Sequence, residues 1–152
     1  MPSFVKGGST TTPFGRNEYH RSTRSALSFE SYTLAAATLP ARTIDGNAGQ
    51  KILQPGTVLA KITSGGDSGL VGPFQAGVTD GRQTAANIVG INDTFLPWQL
   101  IERNVEVGVL QTGKVVQAWC FELDAGGNLI ALTNTTAGDA VFNGKLLSIK
   151  FS

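Results

Sequence analysis

Charge, cysteine and histidine are all scarce in this chain of 152 residues. Charged residues make up 15% of it, against roughly 25% in an average soluble protein, and the net charge is +1. So weak a positive charge gives no indication of direct binding to nucleic acid or to an anionic membrane surface. The single cysteine, Cys120, excludes an intrachain disulfide, and one histidine with one cysteine supplies a metal site poorly. We therefore predict no metal and no cofactor.

Long apolar runs are missing as well. No stretch approaches the roughly 20 apolar residues of a membrane-spanning helix. The opening MPSFVKGGSTTTPFG lacks the hydrophobic centre of a signal peptide. We expect a protein that is made in the cytoplasm and does not contact a membrane.

Glycine, by contrast, is abundant. The 19 glycines are about 12% of the chain, against about 7% on average. Apolar residues make up 41%, which is enough for a core, and the length fits one domain. Few charges and many glycines favour a turn-rich β protein with much of its surface against other protein.

One stretch, TSGGDSGLVGP, resembles the sequence around the nucleophile of trypsin-like serine proteases through Gly66–Gly69. His20, Asp45 and Ser68 also follow the order of that catalytic triad. However, the three residues are only 25 and 23 positions apart, the chain is too short for the double barrel of those enzymes, and Leu70 replaces a motif glycine. We interpret SGGDSG as a turn between strands and expect no enzymatic activity. A small hydrolase that uses Ser68 is the less favoured alternative.

The first 30 residues differ from the rest, being rich in Ser, Thr, Gly and Arg. Their aromatic residues follow neither the period of a strand nor that of a helix. We predict an N-terminal arm at 1–30 and a β-rich domain at 31–152. Thirty extended residues reach on the order of 100 Å, far enough to cross onto a neighbouring subunit. The predicted partner-binding residues of the arm are Phe4, Val5, Phe14, Arg16, Tyr19, Arg21, Arg24 and Phe29. The alternative is a flexible tail or a tag-like leader that binds no partner.

From residue 31 onward the pattern predicts strands. TVLAKIT (57–63) alternates, with Val58, Ala60 and Ile62 on one face, and TAANIVGI is a short apolar run typical of a buried strand. NVEVGVL and VVQAWCFEL are predicted to form a hairpin around QTGK, with DAGGN as the next turn. LIALT and KLLSIKF give two more strands, and LPWQLIERN is the one candidate helix. We expect core positions for Trp98 and Cys120, and a covered position for Trp119.

Three stretches, in order, resemble the head decoration proteins of lambda-type tailed phages. The first, GPFQAGVTDGRQTAANIVGI, has that family's Thr-Asp-Gly turn before a small-residue strand that ends near Val-Gly-Ile. The second is the predicted hairpin VEVGVLQTGKVVQAWCFEL, and the third, AVFNGKLLSIKF, is similar to the family's C-terminal strand. The matching residues of the first and third are Thr79, Asp80, Gly81, Ala85, Ala86, Val89, Gly90, Ile91, Phe142, Gly144, Ser148 and Ile149. The likeness covers roughly 55–152; the arm and 31–52 are not closely matched.

This resemblance implies a small β domain of the β-tadpole or β-clip type behind an extended arm. It implies a non-enzymatic capsid protein that binds the outer surface of the expanded head as homotrimers at local three-fold axes and cements the capsomers against DNA pressure. The implied partners are the major capsid protein, to which the arm adds a strand, and other copies of the chain in the virion. Thr79, Asp80, Gly81, Gly90 and Ile91 are then a structural turn and strand without chemistry.

Two other non-enzymatic functions stay open from the sequence. One is a phage fibre or minor head protein with a related domain. The other is a stand-alone β binding module, such as a carrier domain with a modifiable lysine at a hairpin tip. Lys114 lies beside the predicted turn, but QTGKVV lacks the neighbours that such a lysine has.

Overall fold

Strands dominate the fold, and the described part of the chain contains one α-helix. The computed structural model describes residues 28–96, 103–142 and 149–151. The elements are β1 (Ser28–Leu34), β2 (Arg42–Ile44), β3 (Asn47–Gln50), β4 (Val58–Lys61), β5 (Val71–Pro73), β6 (Ile88–Asn92), β7 (Val105–Val115), β8 (Phe121–Leu123), β9 (Leu129–Ala131), α1 (Asn134–Phe142) and β10 (Ile149–Phe151). The predicted class, a mainly β protein with little helix, is confirmed.

The main sheet closes on itself. Its six strands follow the order β1-β5-β4-β6-β7-β10, and β1 also pairs with β7. Leu34 makes the closure, because it lies opposite Val71 of β5 and Val105 of β7. Closing a sheet pairs strand edges that would otherwise stay open.

The barrel wall carries apolar side chains on both faces. In β4, Val58 and Ala60 belong to one buried cluster, whereas Leu59 belongs to a second. Alternate residues of a strand point to opposite faces, so the two clusters lie on the two sides of the sheet. The strand predicted from TVLAKIT is confirmed as β4, and the end of TAANIVGI forms β6 after a 3-10 turn at Ala85–Asn87.

The predicted hairpin around QTGK is wrong. β7 continues from Val105 to Val115, with Gly113 at φ 138° inside it. Its residues stay extended because they pair with distant parts of the chain: β1 pairs antiparallel as far as Thr112, and β10 pairs parallel from Gly113 onward. The remainder of the predicted return strand forms a 3-10 turn at Gln117–Trp119 and the short strand β8.

Helix α1 is absent from the sequence prediction, although it occupies 134–142. Thr133 precedes it and accepts a hydrogen bond on Oγ1 from the Thr136 amide at 3.2 Å, which is an N-cap contact. The buried Glu122 carboxylate accepts a hydrogen bond from the Thr133 amide at 3.1 Å. A carboxylate at a helix N-terminus is favoured by the helix dipole.

This helix also corrects the third family-like stretch, AVFNGKLLSIKF. Its first residues, 140–142, belong to α1 and are not a strand. Residues 143–148 lie outside the described part, and Ile149–Phe151 form β10, as predicted for the end of the stretch. Ala137 and Ala140 of α1 pack into the first core cluster.

Two short hairpins accompany the barrel. β2 pairs with β3, and β8 pairs with β9 across the predicted DAGGN turn, in which the Asp124 amide donates to the Asn128 carbonyl at 2.9 Å. Single bridges join β8 to the barrel region, at Thr57 opposite Phe121 and at Gln75 opposite Leu123.

The predicted core positions had different outcomes. Cys120 is fully buried, as predicted, but Trp119 is 40% exposed because its backbone turns out of the strand into a 3-10 turn. Trp98 and residues 97–102 of the candidate helix lie outside the described residues.

Candidate functional site

Most of the predicted arm lies outside the described residues. This applies to Phe4, Val5, Phe14, Arg16, Tyr19, Arg21 and Arg24. Phe29 is described, and it lies within β1, so the predicted boundary at residue 30 falls inside a strand of the barrel. The domain therefore begins no later than Ser28.

The β1 surface, by which we mean Ser28–Ser31, is the exposed start of the barrel's first strand. All four residues are exposed, and the Phe29 side chain is 47% accessible. Thr112 of β7 holds the start of the strand by donating from Oγ1 to Ser28 Oγ at 2.9 Å. β1 meets β5 only at Leu34, so on the edge opposite β7 residues 30–33 pair with none of the described strands. Open strand edges accept an additional strand.

The predicted Thr79-Asp80-Gly81 turn contains an ion pair that the sequence analysis missed, between the buried Arg82 and the partly exposed Asp80. Arg82 is 5% exposed, and its Nε donates to Asp80 Oδ2 at 2.9 Å. Arg82 Nη1 also donates to the Pro73 carbonyl at 3.1 Å. The Asp80 carbonyl accepts a hydrogen bond from the Thr63 amide at 2.8 Å, which joins the turn to the segment that follows β4. In the sequence, the only signal for the structural role of Arg82 is that it is a charged residue in a chain with few charges.

Gly81 is required by the close packing of the same turn. Its φ is 107°, and a Cβ there would collide with the Thr63 side chain. Asn87 fixes the turn from the other side, since its Nδ2 donates to the Gly81 carbonyl at 2.8 Å. All of these contacts support a structural turn and supply no reacting group.

Gly90 and Ile91 lie next to β7 in the barrel wall. Ile91 is fully buried and lies opposite Leu110. A Cβ on Gly90 would meet the Val109 side chain and the Leu110 carbonyl. Both family-motif residues thus set how closely β6 approaches β7.

The protease-like stretch forms the turn that the sequence predicts. The Ile62 amide donates to the Leu70 carbonyl at 2.8 Å, and Ser68 is exposed in the turn between them. Asp45 is exposed in the β2–β3 turn, and no hydrogen bond joins it to Ser68 among the described residues. His20 lies outside the described residues.

Lys114 is not at a hairpin tip either. It lies inside β7, opposite Lys150 of β10. A carrier-type lysine on a projecting turn is therefore not present at this position.

A pocket of about 380 Å³ opens between the barrel and the two short hairpins. We call it the Arg42 pocket. Its walls are Leu39, Pro40, Arg42, Thr43, Ile52, Leu53, Gln54, Thr57, Pro73, Leu123 and Leu129. Arg42 spans the gap between the hairpins, since its Nη2 donates to the Gly127 carbonyl at 3.2 Å. Sequence reasoning missed this pocket because its walls come from four separate parts of the chain.

Asp124 is the carboxylate nearest in sequence to Gly127, and it accepts hydrogen bonds within its own turn. Asp124 Oδ1 accepts from the amides of Gly126 and Asn128 at 2.9 and 2.8 Å. These hydrogen bonds, led by that from the Asn128 backbone, lower the pKa of Asp124, so the exposed carboxyl group remains ionised at neutral pH.

Within 28–96, 103–142 and 149–151, no group of three or more His, Cys, Asp or Glu side chains is placed to hold a metal ion. No helix in those ranges is long and apolar enough to cross a membrane.

No protein-family model matches the chain, and neither a curated protein nor a solved structure matches it.

Proposed function

We propose that this protein is a non-enzymatic decoration protein of a tailed-phage head. It binds the outer surface of the expanded shell as a homotrimer at local three-fold axes and cements the capsomers against DNA pressure. Its N-terminal arm adds a strand to the major capsid protein. Its location is the virion, and its barrel is a variant of the β-tadpole or β-clip type.

The observation that carries the proposal is the position of β1. The N-terminal segment enters the barrel through a strand whose first four residues are exposed and whose edge opposite β7 pairs with no described strand at 30–33. Strand addition at such an edge gives backbone hydrogen bonds that tolerate varied side chains. A shell protein that pairs with the segment before Ser28 could extend the pairing onto β1 itself.

The family-like stretches support the proposal unequally. The Thr79-Asp80-Gly81 turn leads toward β6, as the resemblance implies, whereas the hairpin and the start of the C-terminal strand fold differently from the expectation. The support from resemblance therefore rests mainly on the first stretch. The described residues also offer apolar contact area, because Phe29, Phe95 and Trp119 are each at least 38% exposed.

Trimer formation would strengthen weak individual contacts. Three arms at one three-fold axis act at high effective concentration once the first has bound. An arm that orders only on binding loses entropy but can cover a large surface. Expansion of the shell would present the three sites at the correct spacing, so binding would be selective for mature heads.

Cosedimentation with expanded, undecorated heads tests the proposal. The full chain is compared with a variant lacking residues 1–26, which leaves β1 intact, and with a control in which 1–26 are replaced by a Gly-Ser segment of equal length. We expect stoichiometric pelleting of the full chain and weak pelleting of both variants. Pelleting of all three alike would remove the arm from the mechanism. No pelleting of the full chain would refute the decoration function and favour a binding module.

The number of copies of this protein in each virion distinguishes a decoration protein from the alternative, a phage fibre or minor head protein. A decoration protein is present in virions at a large fraction of the major capsid protein, whereas a fibre or minor head protein is present in few copies. Quantitative mass spectrometry of purified virions makes this comparison directly.

A further inference from the structure

The Arg42 pocket has apolar walls and one charged side chain. Seven of the eleven lining residues are Leu, Ile or Pro, and the lining contains no Asp or Glu. A volume of about 380 Å³ is near the lower end of the roughly 300–1,000 Å³ typical of small-ligand sites. The pocket is therefore of a size for a short apolar chain or one large side chain with its backbone.

Arg42 has no anionic partner in the described structure. No carboxylate oxygen lies within 4 Å of its guanidinium nitrogens among the described residues, and its one side-chain hydrogen bond is to the neutral Gly127 carbonyl. A guanidinium has five N–H donors, so several remain for another group. Arg82 provides the contrast, because its guanidinium is buried and paired with Asp80.

Arg42 also connects the β2–β3 hairpin to the β8–β9 hairpin through its hydrogen bond to the Gly127 carbonyl. The β2–β3 hairpin pairs with none of the other described strands, and an isolated two-stranded hairpin is only marginally stable. Arg42 and Gln50 are cross-strand partners in it, and Gln50 Oε1 is buried with no hydrogen-bond partner among the described residues. A ligand that fills the pocket would hold this hairpin against β8–β9.

We propose that the Arg42 pocket binds an apolar group that carries a carboxylate. The apolar part lies against Pro40, Ile52 and Leu129, the apolar lining residues that are partly exposed, and the carboxylate pairs with Arg42 in the fork geometry that guanidinium groups favour. Two sources have this chemistry: a free apolar acid, and the C-terminal carboxylate of a polypeptide that ends in an apolar residue. This site is independent of the decoration function, since none of its lining residues belongs to β1.

Amide-detected NMR titration of the full-length ¹⁵N-labelled protein tests the site. One pair of titrations compares octanoate with octanamide. The other compares the peptide acetyl-Gly-Gly-Ala-Leu as the free acid with the same peptide as its C-terminal amide. We expect shifts at residues 39–57 and 123–129 and at the Arg42 Nε–H signal. At least one acid should bind about tenfold more tightly than its amide, as expected for a charge-assisted hydrogen bond at a half-buried site.

The variant Arg42→Gln should remove the preference for the acid and leave weak binding of the apolar group. The matched control is Arg103→Gln, which makes the same charge change at an exposed position outside the pocket and should keep the preference. If Arg42→Gln does not fold, the acid–amide comparison on the unaltered protein still decides. Absence of localised shifts, equal binding of acid and amide, or equal effects of the two variants would overturn the proposal. Binding of only octanoate or only the peptide acid identifies which of the two sources supplies the ligand.

Discussion

At the residue scale, Arg82 and Glu122 are the two charged residues that are buried in the described part of the chain. Arg82 fastens the Thr79-Asp80-Gly81 turn to Pro73 of β5 through its guanidinium. Sequence reasoning identified the turn and its glycine, because Asp-Gly pairs have a local signal. It missed Arg82, because which charges become buried depends on packing between segments that are separate in sequence.

Replacing Arg82 by alanine should therefore destabilise the fold strongly. The change leaves the Asp80 carboxylate, which is 31% exposed, without its partner and removes the Arg82 hydrogen bond to the Pro73 carbonyl, so the loss should be about 2 kcal/mol, less than for a fully buried pair. Equilibrium urea unfolding measures the loss. Arg103→Ala, at an exposed site, should change the free energy of unfolding by no more than about 0.5 kcal/mol. Equal losses in the two variants would show that the ion pair contributes no net stability.

At the element scale, strands with local signals were predicted and elements that depend on distant partners were not. β4 has alternating apolar residues after a Pro-Gly turn, and its signal lies entirely within the segment. β7 pairs with strands at both ends of the described chain, so nothing near QTGK reveals that it stays extended. α1 has two threonines and a glycine among its nine residues, all poor helix formers, and it forms because Ala137 and Ala140 pack on the core.

The contact between β6 and β7 gives the prediction at this scale. Gly90→Ala should cost about 2 kcal/mol, because the added methyl group meets the Val109 side chain and the Leu110 carbonyl and forces the two strands apart. Gly66→Ala is the control, since a Cβ there meets nothing within 4 Å. The test is the urea concentration at the midpoint of unfolding of both variants, compared where the dependence of the unfolding free energy on urea is unchanged. A tolerated Gly90→Ala would mean that β6 and β7 can separate without loss.

At the scale of the whole molecule, one core joins the barrel to α1. Cys120 lies in the cluster that contains Val58 and Leu110 of the barrel and Ala140 of the helix, and it is completely buried. The sequence predicted a buried thiol from its apolar neighbours. It could not predict the closure of the sheet at Leu34, because that closure brings together three strands that are far apart in the chain.

The burial of Cys120 makes the stability of the whole molecule sensitive to alkaline pH. Burial raises the pKa of the thiol from 9.0 to about 12, because the thiolate cannot be solvated in the core. Above pH 9 the unfolded chain releases this proton while the folded chain keeps it. The contribution of the thiol is thus complete below pH 9 and is lost as the pH rises toward 12, by up to about 1.4 kcal/mol per pH unit.

The variant Cys120→Ala separates the contribution of the thiol from the other pH-dependent contributions to stability. The variant should be less stable than the unaltered protein at neutral pH, because it leaves a small cavity, but it has no thiol to ionise. The difference in unfolding free energy between the two proteins should be constant from pH 6 to 8 and narrow above pH 9. Tyr32, whose pKa is also raised by burial, titrates in both proteins and cancels in the comparison. Parallel curves up to pH 11 would mean that the folded state lets solvent reach the thiol, and that the core between barrel and helix opens more readily than its packing indicates.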